Sequence, residues 1–505
     1  MERWREQSMA ATNQQMSQVT HEEYKPLPSE SYVPLTMPKI LGARDMTATF
    51  IVSIFLATTA TTAVLGGPAA ITYLLLACMV FFIPCIIATV QLGLMFPHEG
   101  SLYNWTHHAI GGRSSFFAGF CAWFPGVLIA TSLADLLVTF LQSMNSNWLS
   151  QTWLQGLVIC VVLALAGTLS IQRFRTVQNV INVLVSLTVL ACFFIGLSCI
   201  VWLATGHASA THFSHWSDYS ITPDNFVLFG FMIFAYIGAE GPLNLAGEIR
   251  ESNKSFTIKR HLLLGGVMIV ALYMITTFSI LVVLGPTNGS TPFALVTVVK
   301  TALGNFWGAV TAVCLMGSFI STVLVYNYVF ARLLLVGAID SRLPVGVGRL
   351  NANRVPANAI IFQTVLGIIY TLLAFVLAPY FGIGDPAVFP IQLYNVSQAA
   401  AVLVWAISAS FLFIDLIGCF RKYRAAFQRW LVIPMPLLWL CIVVGLGSCI
   451  VAIVDTLRFS WIAQISNNEW GLWVGGLTLV FLTGAIVGSM FAYSQASWES
   501  LTEGS

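Results

Sequence analysis

The sequence predicts an all-α integral membrane protein of twelve spanning helices, and three observations carry that prediction. Of its 505 residues 57% are hydrophobic and only 8% charged, against about 25% charged in a soluble domain, and its mean hydropathy is +0.84. The apolar runs reach roughly 20 residues without alternation, which suits a helix crossing ~30 Å of hydrocarbon and not a barrel strand of about 10. Lys and Arg fall almost wholly on alternate loops. Inside hydrocarbon each backbone group needs an internal partner, so these runs must be helical.

Residues 1–44 are polar and lack the apolar core of a signal peptide, so they are expected to form a cytoplasmic tail. Apolar length and charged or Pro/Gly/Asn punctuation then place spans at 46–68, 69–96, 116–142, 153–170, 177–204 and 226–247. The rest are expected at 262–284, 303–331, 358–379, 388–415, 430–455 and 470–493, with a cytoplasmic tail at 494–505. No charge separates Met46 from Pro97, and the divider there is Gly66-Gly67-Pro68, which suits a tight turn. With the N-terminus inside, only Lys300 and Arg458 of 22 Lys and Arg fall outside. That bias is the positive-inside pattern. It places both termini in the cytoplasm and supports an even number of spans.

The net charge of +2 is spread over many loops, so nucleic acid is not an expected partner and the bilayer is. The ten cysteines fall mostly in apolar runs with no CxxC pair, as buried small hydrophobes do. No metal and no cofactor is expected. Two spans depart from plain lipid-facing composition. The first carries Ser53 to Thr62, rich in small and hydroxyl residues, and the sixth carries Gly238-Ala239-Glu240-Gly241-Pro242. Five spans apart, they predict paired broken helices with a solute site between them. Small-residue packing and an ordinary proline kink are the plainer explanations.

At these residues the sequence resembles the amino acid–polyamine–organocation (APC) transporters. Phe96-Pro97-His98-Glu99-Gly100-Ser101-Leu102-Tyr103-Asn104-Trp105 is similar to that family's "FPxxGGxYxW" loop. Val177-Gln178-Asn179-Val180 resembles the start of its fifth span. Phe234 to Glu240 with Asn244-Leu245-Ala246-Gly247-Glu248 resembles "FAYxGxE…NLAxE", and Arg332 with Asp340-Ser341-Arg342-Leu343-Pro344 resembles "R…RDGxLP". The likeness covers about residues 40–415, and Phe81-Phe82-Ile83-Pro84 resembles the glutamate/GABA-antiporter branch more than the cationic one.

The resemblance implies a leucine-transporter-like fold: inverted repeats of five spans at 45–205 and 206–416, then two added helices at 417–493. It implies secondary active transport of amino acids or related amines by alternating access, as an exchanger or proton-coupled symporter, in the plasma membrane. Substrate would lie on Ile54, Phe55, Ala57, Thr58 and Thr59 of the first span and on Phe234, Ala235, Tyr236 and Gly238 of the sixth. Helix N-termini would face its carboxylate and free carbonyls its ammonium. Phe234 matches an aromatic gate, with Tyr236 and Trp123 as weaker candidates of that kind. The departures are a missing "GSGIF" near Ile54 to Ala57, Gln91-Leu92 where the family has "AEL", and Val185-Ser186 where many members have a lysine. Sodium at Ser318, Ser321 and Thr322 therefore stays open.

Glu240 and Asp135 are almost the only acids within the expected spans, and a carboxylate at mid-membrane must be paired, hydrated or protonated. Both are candidates for gating or proton coupling, with a structural carboxyl as the plain alternative. His98, His107 and His108 are expected to be solvated or loop-packing. A channel or a non-transporting nutrient receptor could share this topology. An enzyme is not expected, because convergent titratable clusters are missing. The substrate and the oligomeric state are not legible.

Overall fold

The structure, a computed structural model, describes residues 26–144, 148–149, 151–378, 389–462 and 465–502. The expected tail at 1–25, residue 388 at the head of the tenth span and residues 503–505 lie outside the described residues. The fold is all-helical, and its one isolated β-bridge among the described residues joins Leu41 to Ile249. A short helix α1 (Pro28–Thr36) precedes α2 (Ala43–Ile54) and α3 (Thr59–Ala63). Then come α4 (Ala69–Met95, with a π turn at Cys78–Phe82), α5 (Ser101–Ile110), α6 (Gly112–Met144), α7 (Thr152–Ser170) and α8 (Phe174–Ala204). The second half holds α9 (Val227–Ala235), a 3₁₀ stretch Gly241–Glu248, α10 (Lys254–Val283), α11 (Ala294–Leu303) and α12 (Asn305–Ile339). It closes with α13 (Ala357–Leu377), α14 (Phe389–Lys422), α15 (Met435–Arg458) and α16 (Asn467–Thr502).

Among the described residues ten helices are long and apolar enough to cross a membrane, and the bent pair α2–α3 makes eleven, against twelve expected. The difference lies at residues 227–248. There nine helical residues and eight 3₁₀ residues flank a non-helical stretch, so neither piece reaches spanning length alone. Several helices outrun their expected apolar ends: α10 begins at Lys254, α12 runs to Ile339 and α14 to Lys422. A helix continues past the hydrocarbon edge as long as its end groups reach water or partners, and apolar length cannot register those turns.

The helices α6 and α12 bury 72% and 67% of their most apolar window, whereas α7 and α16 bury 28% and 22%. The former pair is therefore the centre and the latter the rim. Helix α12 packs on α8 and α6, α14 on α6, and α2 on α10. Hydroxyls along these helices donate to carbonyls one turn back, as Ser53 does to Thr49, Thr131 to Val127 and Ser198 to Phe194, which satisfies them without water. The turn between α3 and α4 uses Gly67 at φ +57°, a backbone position that suits glycine.

Candidate functional site

The two breaks expected from composition are present and they meet. Helix α2 stops at Ile54, Phe55 turns extended (φ −73°, ψ 111°), and α3 leaves at 41° to it. Helix α9 stops at Ala235, and Gly238 takes φ +109° before the 3₁₀ stretch begins with Pro242 in its first turn. A Cβ built on Gly238 would lie 3.8 Å from Ile54 Cγ1, so the broken stretches touch. Among the described residues the N–H groups of Ala57, Thr58, Gly238 and Ala239 reach no protein acceptor. They are the orphan donors that every helix start leaves.

A residue the sequence reading missed joins the breaks. The hydroxyl of Tyr273 on α10 lies 2.9 Å from the Ile54 carbonyl and 3.0 Å from the Ala235 carbonyl, and accepts the Leu56 N–H at 3.2 Å. It has one proton for two carbonyls, so one of them always keeps acceptor capacity. Tyr326 of α12 donates to the Ser53 carbonyl at 2.9 Å. Both tyrosines sit in long spanning helices, and Tyr328 lies two residues from Tyr326. A phenol there is a weak sequence signal, because Tyr is also an ordinary packing residue.

Phe55 and Ala57 are each 1% exposed, Phe234 and Ala235 each 9%, and Thr58 and Thr59 are half-buried, so the breaks are enclosed. Phe234 lies 6.1 Å from Trp461, in the loop before α16. Tyr236 stacks on Phe82 at 4.7 Å and meets Tyr273 edge-on at 5.5 Å, with its hydroxyl buried and without a protein partner. Glu240 caps the 3₁₀ stretch, and its Oε2 is buried without a partner, beside Cys85 of α4 and Cys449 of α15. Asp135 is not brought to the breaks by any described contact; its neighbour is Tyr370 of α13. Trp123 also stands apart, donating to Gln363 at 3.2 Å. Ser321 and Thr322 both donate to the Ser318 carbonyl (2.7 and 3.1 Å), one turn from Tyr326. Two further acids lie inside helices where the sequence reading weighed only Glu240 and Asp135. Asp415 accepts from Thr106 at 2.7 Å, and Asp455 accepts the Gly230 N–H at 2.9 Å.

The ends of the helices that carry most Lys and Arg are locked together. Buried Arg332 donates to Glu248 Oε1 through Nε (2.9 Å) and Nη2 (2.6 Å), and lies 3.6 Å from Glu99. Glu99 accepts the Gly247 N–H at 2.9 Å, and Lys254 lies nearby. Burial pushes the Glu99 carboxyl well above the usual range, and Glu248 adds to this while Arg332 opposes it. Leu41 and Ile249 form their bridge beside this cluster, and Lys39 pairs with Glu251. Helix α1 docks here too. Ser29 donates its N–H and hydroxyl to Asp340 (both 2.9 Å), and buried Glu30 meets Asn104 and, at 2.7 Å, His108. His108 is thus buried within α5 and paired, neither solvated nor in a loop. Glu99, Glu248 and Arg332 all belong to the quoted motifs, so the signal was there; their mutual pairing was not.

A family model described as amino acid permease matches residues 41–482. The chain is 24% identical over 359 residues to a gamma-aminobutyric acid permease of Bacillus subtilis, covering 68% of this chain and 71% of the relative. It is 23% identical over 421 residues to the inner membrane transporter YjeM of Salmonella typhimurium, covering 72% and 78%. Among solved structures, a manganese transporter of Eremococcus coleocola superposes with TM-score 0.57 at 13% identity, covering 92% of this chain and 98% of that one. At that identity the likeness speaks for the fold alone.

Proposed function

The chain belongs to the amino acid permease family, a family of membrane transporters for amino acids or similar substrates, and on that premise we propose that it moves an amino acid or related amine by alternating access about the paired breaks. One observation carries the reading: half-helix ends from residues 43–66 and 227–248 converge on the Tyr273 hydroxyl, leaving amides and a carbonyl for a ligand. An α-carboxylate suits the amides of Ala57, Thr58, Gly238 and Ala239, and an α-ammonium suits the Ile54 or Ala235 carbonyl. Phe55, Thr59, Phe234 and Tyr236 then shape the side-chain pocket, with Phe234 as gate. In this reading each broken pair counts as one span, giving twelve spans in the plasma membrane with cytoplasmic termini. The 5+5 repeat divides at about residue 205, and the 417–493 helices are additional. The enclosure of the breaks favours alternation over an open pore.

Glu240 is the proposed coupling acid, because its buried Oε2 has no protein partner to offset a negative charge, and protonation removes that charge. The test is uptake of labelled amino acids and amines into proteoliposomes, with pH and sodium gradients imposed separately. Saturable uptake or exchange is expected, driven by the pH gradient or by counter-substrate, and Glu240→Gln should flatten the pH profile between about 4 and 8. Sodium-driven uptake would instead assign Ser318, Ser321 and Thr322 as cation ligands. Uptake that rises linearly with concentration would replace the carrier with a pore.

A further inference from the structure

The two pieces that flank the second break pack on different helices. Helix α9 lies mainly on α15, and the 3₁₀ stretch lies on α12, α2 and α5. Helix α15 stands outside the proposed repeats, yet it reaches α9 with an acidic side chain. Asp455 Oδ2 accepts the Gly230 N–H at 2.9 Å, and both residues are buried. Gly230 is the fourth residue of α9, where a helix N–H ordinarily closes the first turn on the N-cap carbonyl. Met46 does this in α2, donating to Gly42 at 3.0 Å. Among the described residues the Gly230 N–H makes no such bond to Phe226. Its partner is α15 and not its own helix.

The residue types fit this contact. A Cβ on Gly230 would lie 2.7 Å from Asp455 Oδ2, 3.1 Å from Thr456 Oγ1 and 3.2 Å from the Ala452 carbonyl. Glycine weakens a helix interior, so its use here follows from the close approach of α15. The other carboxylate oxygen, Oδ1, is buried without a partner. Packing alone gives no reason for an acid at this place, whereas a charged acceptor holds an N–H more strongly than a neutral one. Just past α15, Trp461 meets Phe231 at 5.5 Å and Phe234 at 6.1 Å. Trp470 backs Trp461 at 5.8 Å and donates to the Thr456 carbonyl at 2.8 Å. Helix α9 is thus gripped twice from one side, by its backbone at Gly230 and by the ring of Phe234.

We propose that Asp455 is a positioning residue for transport. It ties α9 to α15 so that the two form one body, and it keeps the proposed gate Phe234 in place over the breaks while the 3₁₀ stretch swings about residues 236–240. The functional half of this inference rests on the reading of the breaks as the substrate site; the tie itself does not.

The test compares the full chain with Asp455→Leu and Asp455→Asn, by backbone hydrogen exchange in nanodiscs and by uptake into proteoliposomes. Leucine fills the volume and accepts no hydrogen bond, whereas asparagine keeps an acceptor oxygen. Peptides covering 227–235 should exchange at least about tenfold faster in Asp455→Leu, since a hydrogen bond to a charged group is lost. Peptides from α10 and α12 should keep their wild-type rates, and asparagine should restore most of the protection in α9. In uptake, Asp455→Leu should raise KM with kcat little changed, because a displaced gate loses contacts that the substrate makes throughout. Gly230→Ala pushes α15 away without altering Asp455 and should reproduce both effects; it carries the comparison should Asp455→Leu not fold. Wild-type exchange across 227–235 in Asp455→Leu would overturn the proposal. Faster exchange in every helix, or a lower maximal rate at unchanged KM, would do the same, since either marks a general loss of structure. An asparagine variant with native protection but no pH response in uptake would make Asp455 a proton carrier and overturn its positioning role. A wild type that takes up nothing would sink the transport reading alone, and exchange across 227–235 would still decide the tie.

Discussion

The centre of the molecule and its Lys/Arg-rich end are both polar regions buried among apolar helices, yet the centre leaves backbone groups open where the end pairs charged side chains. At the breaks, amides of Ala57, Thr58, Gly238 and Ala239 are left without protein partners, and one phenol serves two carbonyls. At the end, Arg332 pairs with Glu248 and lies 3.6 Å from Glu99, and Ser29 pairs with Asp340, so charges there meet countercharges even though Glu99 Oε1 and Glu248 Oε2 make no hydrogen bond. An unpaired buried group costs about 1–3 kcal/mol, so a protein keeps several only where something else completes them. A paired buried ion cluster is close to neutral overall but costly to break by halves. On the proposed reading the centre receives its ligand at those open groups, whereas the end holds its helices together through paired charges.

The sharpest way to break this contrast is at Arg332. Arg332→Ala would leave Glu99 and Glu248 facing each other with only Lys254 near, and removing one partner of a buried pair costs about 3–5 kcal/mol. Thermal unfolding in lipid should show a large loss of stability. Adding Glu248→Gln should restore part of it, since one stranded charge is gone. A single variant as stable as the wild type would mean that water reaches this cluster.

The second test titrates the same end. Burial raises the Asp340 carboxyl from 3.8 to about 6, opposed by the Ser29 hydrogen bonds and the nearby Tyr103 hydroxyl and aided by Glu30. Its pKa is raised on folding, so between these values the native state binds a proton that the unfolded chain does not. Its contribution is favourable below about pH 4 and is lost as pH rises through 6, a loss of at most about 3 kcal/mol in all. Asp340→Asn keeps an acceptor for the Ser29 N–H and cannot titrate. The stability difference between variant and wild type should therefore grow from pH 4 to 6 in the variant's favour, then stay level. A constant difference across that range would show Asp340 to be hydrated.

How much of this was legible depended on the kind of interaction. Apolar length and charge placement reveal which segments leave water, so the long helices of the bundle were readable to within two or three turns at their ends. The breaks were readable because Gly238, Pro242 and the threonine run oppose helix locally. Helix α1 was not, because Ser29, Glu30 and Val33 look like any polar tail until Asp340, His108 and Leu335 come to meet them from far along the chain. Tyr273 escaped for the same reason. Its partners are backbone carbonyls of residues 54 and 235, and a carbonyl has no letter in a sequence.

Tyr273→Phe is therefore the finest test of the contrast, because it removes one oxygen and leaves the ring in place. The ring packs on Phe55 at 4.9 Å and on Tyr236 at 5.5 Å, contacts that phenylalanine keeps. What is lost is a hydrogen bond shared by the Ile54 and Ala235 carbonyls and an acceptor for the Leu56 N–H. A neutral hydrogen bond contributes about 1 kcal/mol net, so the melting temperature should fall only slightly. Transport should suffer more than stability does. Without the phenol the two half-helix ends are no longer held at one spacing, and the carbonyl left to a ligand is no longer fixed in direction. The expected result is a fall of about tenfold in kcat/KM for uptake, equivalent to about 1.4 kcal/mol. Expression and melting should stay near those of the wild type. If uptake is unchanged while the melting temperature drops by several degrees, the hydroxyl is a packing device, and the breaks are joined by something other than Tyr273.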